Sequence, residues 1–211
     1  MLPRNEYFVG IQLDSHSAGT VKNISTELVS KFGGVNPHRY CPPHIKLLPI
    51  LMALVDVLRL KEFRKLLHIL LYQPEFTTIQ THKIQGVDMS TNGTISLSVH
   101  SDELEILSKK IHAIASLACD NIQIFDLGDT LLQIPLIAQI AHERRDEVVD
   151  ELVARFTSEI SSQIAVDNFT LYEKDTKETE WKPHIYQYPQ ERTAIKYALD
   201  PNVQKIKLNL K

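Results

Sequence analysis

The order in which apolar patterns change along this chain restricts its fold more than any single motif does. "YFVGIQLD" (7–14) combines aromatic and β-branched residues and reads as a buried strand. Val21, Ile24, Leu28 and Phe32 then recur at helical spacing from Ser17 to Phe32, and Gly33-Gly34 stops that helix. "PPHIKLLPI" (42–50) supplies a strand at about 43–49, and Leu51–Tyr72 follows helical periodicity until Pro74. "FTTIQTHKIQGVD" and "GTISLSVHS" form two strands around Asn92-Gly93, a dipeptide that favours positive φ.

The second half repeats this order. It reads as a helix over 101–118, whose Asp102 and Glu103 suit an N-terminus, and then a buried strand "LLQIPLIAQIA" (131–141). An amphipathic helix over 142–163 carries Val148, Leu152, Arg155, Phe156 and Ile160 along one side, and "VDNFTLYEKD" and "EWKPHIYQYP" close the series around "TKET". The residue identities do not repeat. The order suggests an α+β protein of two similar lobes packed side by side, each with an antiparallel sheet and helices outside, with a cleft between their sheets. Residues 1–211 are read as one bilobal domain, with lobes at roughly 1–100 and 101–189. The 190–211 extension adds a short helix and a last strand.

Composition narrows the function class. A chain 43% hydrophobic and 23% charged is globular, and a formal net charge of −3 excludes a strongly basic surface. Any nucleic-acid contact must then come from a local patch. Cys41 and Cys119 lie in no C-x-x-C or zinc-site spacing, so they read as free thiols in a reducing compartment. The first residues show no uncharged h-region. "IKLLPILMALVDVLRL" is interrupted by Lys46, Asp56 and Arg59 before it reaches spanning length. The expectation is a cytoplasmic protein without membrane contact, metal or cofactor.

On a strand, residues two apart share a face, so His44 and Lys46 point the same way. The plainest account of His44 is a half-buried ring satisfied by neighbouring backbone. A second account comes from the chain as a whole, which over roughly 7–189 resembles the two-histidine phosphoesterase superfamily. That superfamily includes 2′,5′-RNA ligase-like proteins and cyclic phosphodiesterases. The resemblance rests on "YFVGIQLD", on "PPHIKLLPI" in the place of the first His-x-Thr/Ser motif, and on the terminal hairpin. It implies a metal-free site in which two histidines act as general base and general acid on a phosphodiester. Two imidazoles flanking a phosphate can exchange those duties near neutral pH.

In this comparison His44 matches the first histidine, and Lys46 replaces the hydroxyl residue as a cation for ligand binding. Aligning "PHIKL" with "PLIAQ" puts Leu136 and Ala138 at the second motif, where neither moves a proton. The resemblance thus implies a diverged protein that binds a nucleotide, RNA end or other phosphate ester, with phosphodiesterase activity reduced or lost. One alternative is an active cyclic-nucleotide or RNA phosphodiesterase in which His184 of "KPHIYQYP" partners His44. The other is a non-catalytic structural or interaction module. Protonated His44 would strengthen anion binding as pH falls. His16, His38 and His142 are expected in solvent, and His68, His82, His100 and His112 at the surface or its boundary.

Overall fold

The computed structural model describes residues 5–53, 57–71, 81–118, 123–124, 132–156, 163–175 and 177–186. In chain order these form β1 (Asn5–Leu13), α1 (Ser15–Phe32), β2 (His44–Ala53), α2 (Val57–Leu71), β3 (Thr81–Met89) and β4 (Ile95–His100). Then come α3 (Asp102–Ala118), β5 (Gln123–Ile124), β6 (Gln133–Ile137), α4 (Arg145–Phe156), β7 (Gln163–Asp175) and β8 (Lys182–Tyr186). The protein is α+β. The helix expected to begin at Leu51 begins at Val57 instead, because Leu51 and Met52 continue β2 and pair with the short β5. An apolar run fits a strand or a helix equally well until its pairing partner is known. The first turn expected of the last helix is a 3₁₀ turn, His142–Arg144. Residues 190–211 lie outside the described residues.

Among the described residues every strand pair is antiparallel, and the strands join in the order β5-β2-β1-β7-β3-β4-β6, with β8 also on β7. Pairing crosses the expected boundary near residue 100, since β1 pairs with β7 and β4 with β6. Strand β7 binds the sheet together: its first residues pair with β3, and the rest lies between β1 and β8. β6 ends the series, which suits Pro135, a residue without an N–H for a ladder on both sides.

Strand alternation then assigns the faces. Val9, Ile11, Ile45, Leu47, Phe169 and Leu171 enter the main core, where α1 adds Val21, Ile24, Leu28 and Phe32. α1 is held at one end by Asp14, whose side chain accepts from the Ser17 N–H at 2.9 Å. At the other end Gly33, at φ 79°, donates its N–H to the Val29 carbonyl. The opposite face of the same strands carries Phe8 and Tyr172, which pack with Cys41 and Trp181 in a second cluster. Among the described residues no helix is long and apolar enough to cross a membrane.

Candidate ligand site

His44 and Lys46 stand on β2 opposite Gln12 and Gly10 of β1, and Gly10 in turn faces Thr170 of β7. They therefore share the face of Phe8 and Tyr172, away from the main core. His44 is 5% exposed, with its ring 4.7 Å from the Phe8 ring and 5.1 Å from that of Tyr172. Its Nδ1 lies 2.8 Å from the Pro42 carbonyl oxygen, which can only accept, so Nδ1 carries the hydrogen. Nε2 is left as a buried lone pair with no hydrogen-bond partner among the described residues. Burial is the main cause that pushes the His44 pKa down to about 3, and the Lys46 and His38 charges push the same way against the Pro42 hydrogen bond.

Gly10 makes room for this ring. A Cβ there would sit 3.1 Å from the Ile45 carbonyl oxygen and 3.2 Å from His44 Cδ2. A larger residue must push either the strand backbone or the ring, so Gly10→Val is expected to cost about 1–3 kcal/mol. Urea unfolding of the variant measures the loss, and unchanged stability would mean that the ring moves aside freely.

Lys46 reaches a different environment. Its Nζ is 5.6 Å from the centre of the Phe8 ring, and the side chain lines a cavity of about 130 Å³. The other lining residues are Ser90, Thr91, Asn92, Thr94, Ser96, Gln133 and Pro135. The wall thus holds one cation, several hydroxyls and amides, and no carboxylate. Burial holds the Lys46 ammonium below the usual lysine range, and no ion pair of Lys46 is found among the described residues. The β3–β4 turn that forms the lip is pre-set by its own hydrogen bonds. Thr94 N–H donates to Ser90 Oγ at 3.1 Å and to Asn92 Oδ1 at 3.1 Å.

The far wall overturns the expected position of the second motif. Leu136 is fully buried in the main core, and Ala138 lies beyond β6, bridged to Val35. Gln133 and Pro135 are the β6 residues that line the cavity, and Ile134 between them is as buried as Ile45 between His44 and Lys46. Matching buried isoleucine to buried isoleucine sets "QIP" against "HIK". A strand alternates faces at every residue, so an odd slip of three positions puts the wrong side chains toward the site. The Leu132 N–H donates to the Lys46 carbonyl at 3.0 Å and fixes the start of β6 beside β2.

The structure does not bring His184 to His44. His184 lies on β8, where its backbone pairs with Leu171 of β7. β8 is separated from β2 by β7 and β1, and three strand spacings amount to roughly 14 Å. Two other histidines are buried against expectation. His82 is 6% exposed, and His38 is 8% exposed on a 3₁₀ turn over Pro37–Arg39. Neither His38 ring nitrogen has a well-aligned hydrogen bond among the described residues, although the backbone groups of Pro135 and Cys41 lie near enough to raise its pKa against the effect of burial. The turn is drawn inward because neighbouring Val35 exchanges two backbone hydrogen bonds with Ala138, at 2.8 and 3.0 Å. No sequence periodicity signals such a contact. Cys41 Sγ lies 3.6 Å from His44 Nδ1, and burial pushes the thiol pKa up to about 12, so it stays protonated.

No family model matches the chain, and no curated protein matches it in sequence. Solved structures match its fold. Apo LigT from E. coli is 14% identical, with a TM-score of 0.58 over 88% of this chain and 96% of that one. Kluyveromyces marxianus Usb1 with uridine monophosphate is 13% identical, with a TM-score of 0.53 over 86% and 98%. E. coli LigT complexed with phosphate is 13% identical, with a TM-score of 0.50 over 88% and 96%. These neighbours are two-histidine phosphoesterases, so the chain has the fold that its sequence resembles.

Proposed function

We propose that this chain uses the two-histidine phosphoesterase fold to bind the phosphate of a nucleotide, an RNA end or another phosphate ester, with phosphodiesterase turnover reduced or lost. One observation carries the reading: Lys46 brings a half-buried ammonium, without an ion-pair partner among the described residues, to a cavity whose lining holds no carboxylate. An anion is the natural complement of such a wall. The cavity is smaller than the roughly 300–1,000 Å³ of a typical small-molecule pocket, so it suits the phosphate end of a ligand rather than the whole. Structures of the same fold that hold phosphate or uridine monophosphate support this reading.

Loss of turnover follows from what faces Lys46. A two-histidine reaction needs a proton donor and a proton acceptor across the phosphate. Gln133 and Pro135 exchange no proton near neutral pH. His44 remains neutral until the pH approaches 3 and cannot act as an acid at pH 7. On this reading His44 adds no charge to ligand binding near neutral pH.

Calorimetric titration with inorganic phosphate and with uridine monophosphate tests the proposal. Binding of both is expected, and Lys46→Ala should weaken it by about ten- to a hundredfold, the loss of one charge-assisted hydrogen bond. An absence of binding heat would leave the chain as a structural or interaction module.

A further inference from the structure

Ser90, Thr91, Asn92 and Thr94 line the cavity with Lys46, and all four belong to the β3–β4 turn. Hydrogen bonds inside the turn give it its shape: the Ser90 N–H donates to the Thr94 carbonyl at 2.8 Å, and the Gly93 N–H to the Ser90 carbonyl at 3.0 Å. Its anchor comes from outside, at the start of α4. Arg145 Nε donates to the Ile140 carbonyl at 3.4 Å, and the Ile140 N–H donates to the Gly93 carbonyl at 3.4 Å. The guanidinium lies against Gly93 itself, where a Cβ would stand 2.6 Å from Nη2, 3.1 Å from Cζ and 3.2 Å from Nε. Gly93 is buried, although its neighbours Thr91 and Asn92 are exposed. Two demands meet at this glycine: its φ of 78° lies in the left-handed region, and the guanidinium takes the space of a side chain. The charge of Arg145 is not spent elsewhere. Arg144 beside it reaches Glu147 at 3.5 Å and the Phe32 carbonyl at 3.4 Å, whereas Arg145 has no ion-pair partner among the described residues.

We propose that Arg145 is a positioning residue for the Lys46 site: by clamping Gly93 it holds the β3–β4 turn in its binding shape before an anion arrives. The inference rests on the phosphate-binding reading of Lys46 and adds what sets the affinity there. A turn held in advance does not have to be ordered by the ligand. Re-fixing the backbone of one freed residue lowers affinity by about five- to thirtyfold. A lysine at this position would keep the positive charge, but it has neither the Nε donor that engages Ile140 nor a flat group that fits against a glycine. Positioning and long-range charge are therefore separable by substitution.

The test pairs calorimetric titration with inorganic phosphate and amide hydrogen exchange. Arg145→Ala should weaken phosphate binding by about five- to thirtyfold, and Arg145→Lys should weaken it nearly as much. In both variants the Gly93 and Thr94 amides should exchange faster than in the wild type, while those of Ile11 and Leu171 in the central strands keep their rates. That local signature separates positioning from a general loss of stability, which would speed every amide that exchanges through global unfolding. Gly93→Ala should also weaken binding, and by a smaller factor in the Arg145→Ala background, where no guanidinium is left to displace. Wild-type affinity in Arg145→Ala would overturn the inference and leave the phosphate reading standing. Full rescue by Arg145→Lys would overturn it too, since charge alone would then explain the effect. So would unchanged exchange at Gly93 and Thr94. A wild-type protein that binds no phosphate would remove both readings.

Discussion

Lowering the pH from about 7 to about 4.5 is expected to remove several kcal/mol of stability before the carboxylates titrate. Burial pushes the His38 pKa down to about 4 and that of His44 to about 3. His82 and His68 are lowered by burial in the same direction. In the unfolded chain each imidazole titrates near 6.5. Between that value and the folded pKa the unfolded state binds protons that the native state refuses, so stability rises with pH across the window. It is fully present above about pH 6.5 and is lost as the pH falls. Each tenfold gap in proton affinity is worth about 1.4 kcal/mol, and a domain has only about 5–15 kcal/mol in total. Ordinary carboxylates titrate near 4, so the drop between about 6.5 and 4.5 belongs to the histidines. Urea midpoints measured across this range should fall steeply in the wild type. The slope should flatten in a His38→Gln, His44→Gln double variant. A midpoint constant from about pH 7 to 4.5 would show that these rings reach water in the folded protein.

That expectation was not available from the sequence, and the reason is specific. The element order, the face shared by His44 and Lys46, and the helix from Ser15 to Phe32 follow from local periodicity, which the chain displays openly. The burial of His38 depends on two hydrogen bonds between Val35 and Ala138, about a hundred residues apart in sequence, and no local pattern announces them. The end of β2 is hidden for a similar reason: Leu51 and Met52 are held as strand by Gln123 and Ile124. The strand over 133–137 is legible from its apolar residues, but which of its residues turn toward Lys46 is not. "PLIAQ" matches "PHIKL" at proline and isoleucine, yet Gln133 and Pro135, and not the core residue Leu136, line the cavity with Lys46. With period-two alternation, proline matching chose the wrong face. Gln133 as a candidate site residue, and Asp88 behind it, became legible only once the strands were paired.

The corrected register makes the sharpest prediction about chemistry. Wild-type turnover of a 2′,3′-cyclic nucleotide should be near background, since the group opposite Lys46 is an amide. Placing a histidine at the position chosen by proline matching, Leu136→His, should not restore it. Leu136 is fully buried among apolar side chains. Losing a buried leucine costs about 2–5 kcal/mol, and an unpaired imidazole adds desolvation. The variant should be unstable and inactive. Gln133→His with Pro135→Thr puts the imidazole and the hydroxyl on the cavity wall instead. Asp88, now 3.2 Å from the Gln133 amide nitrogen, is placed to accept the new ring N–H and orient it. General acid or base groups are each worth about 10²–10⁴-fold. A gain of at least about tenfold is therefore expected, even if the added ring is imperfectly held. Hydrolysis followed by chromatography, with each variant's folding checked by circular dichroism, decides the matter. Activity from Leu136→His, and none from the Gln133→His, Pro135→Thr pair, would refute the register. Substantial wild-type turnover that vanishes in His184→Ala would mean that His184 serves the reaction despite its place on β8. It would end the case for lost activity.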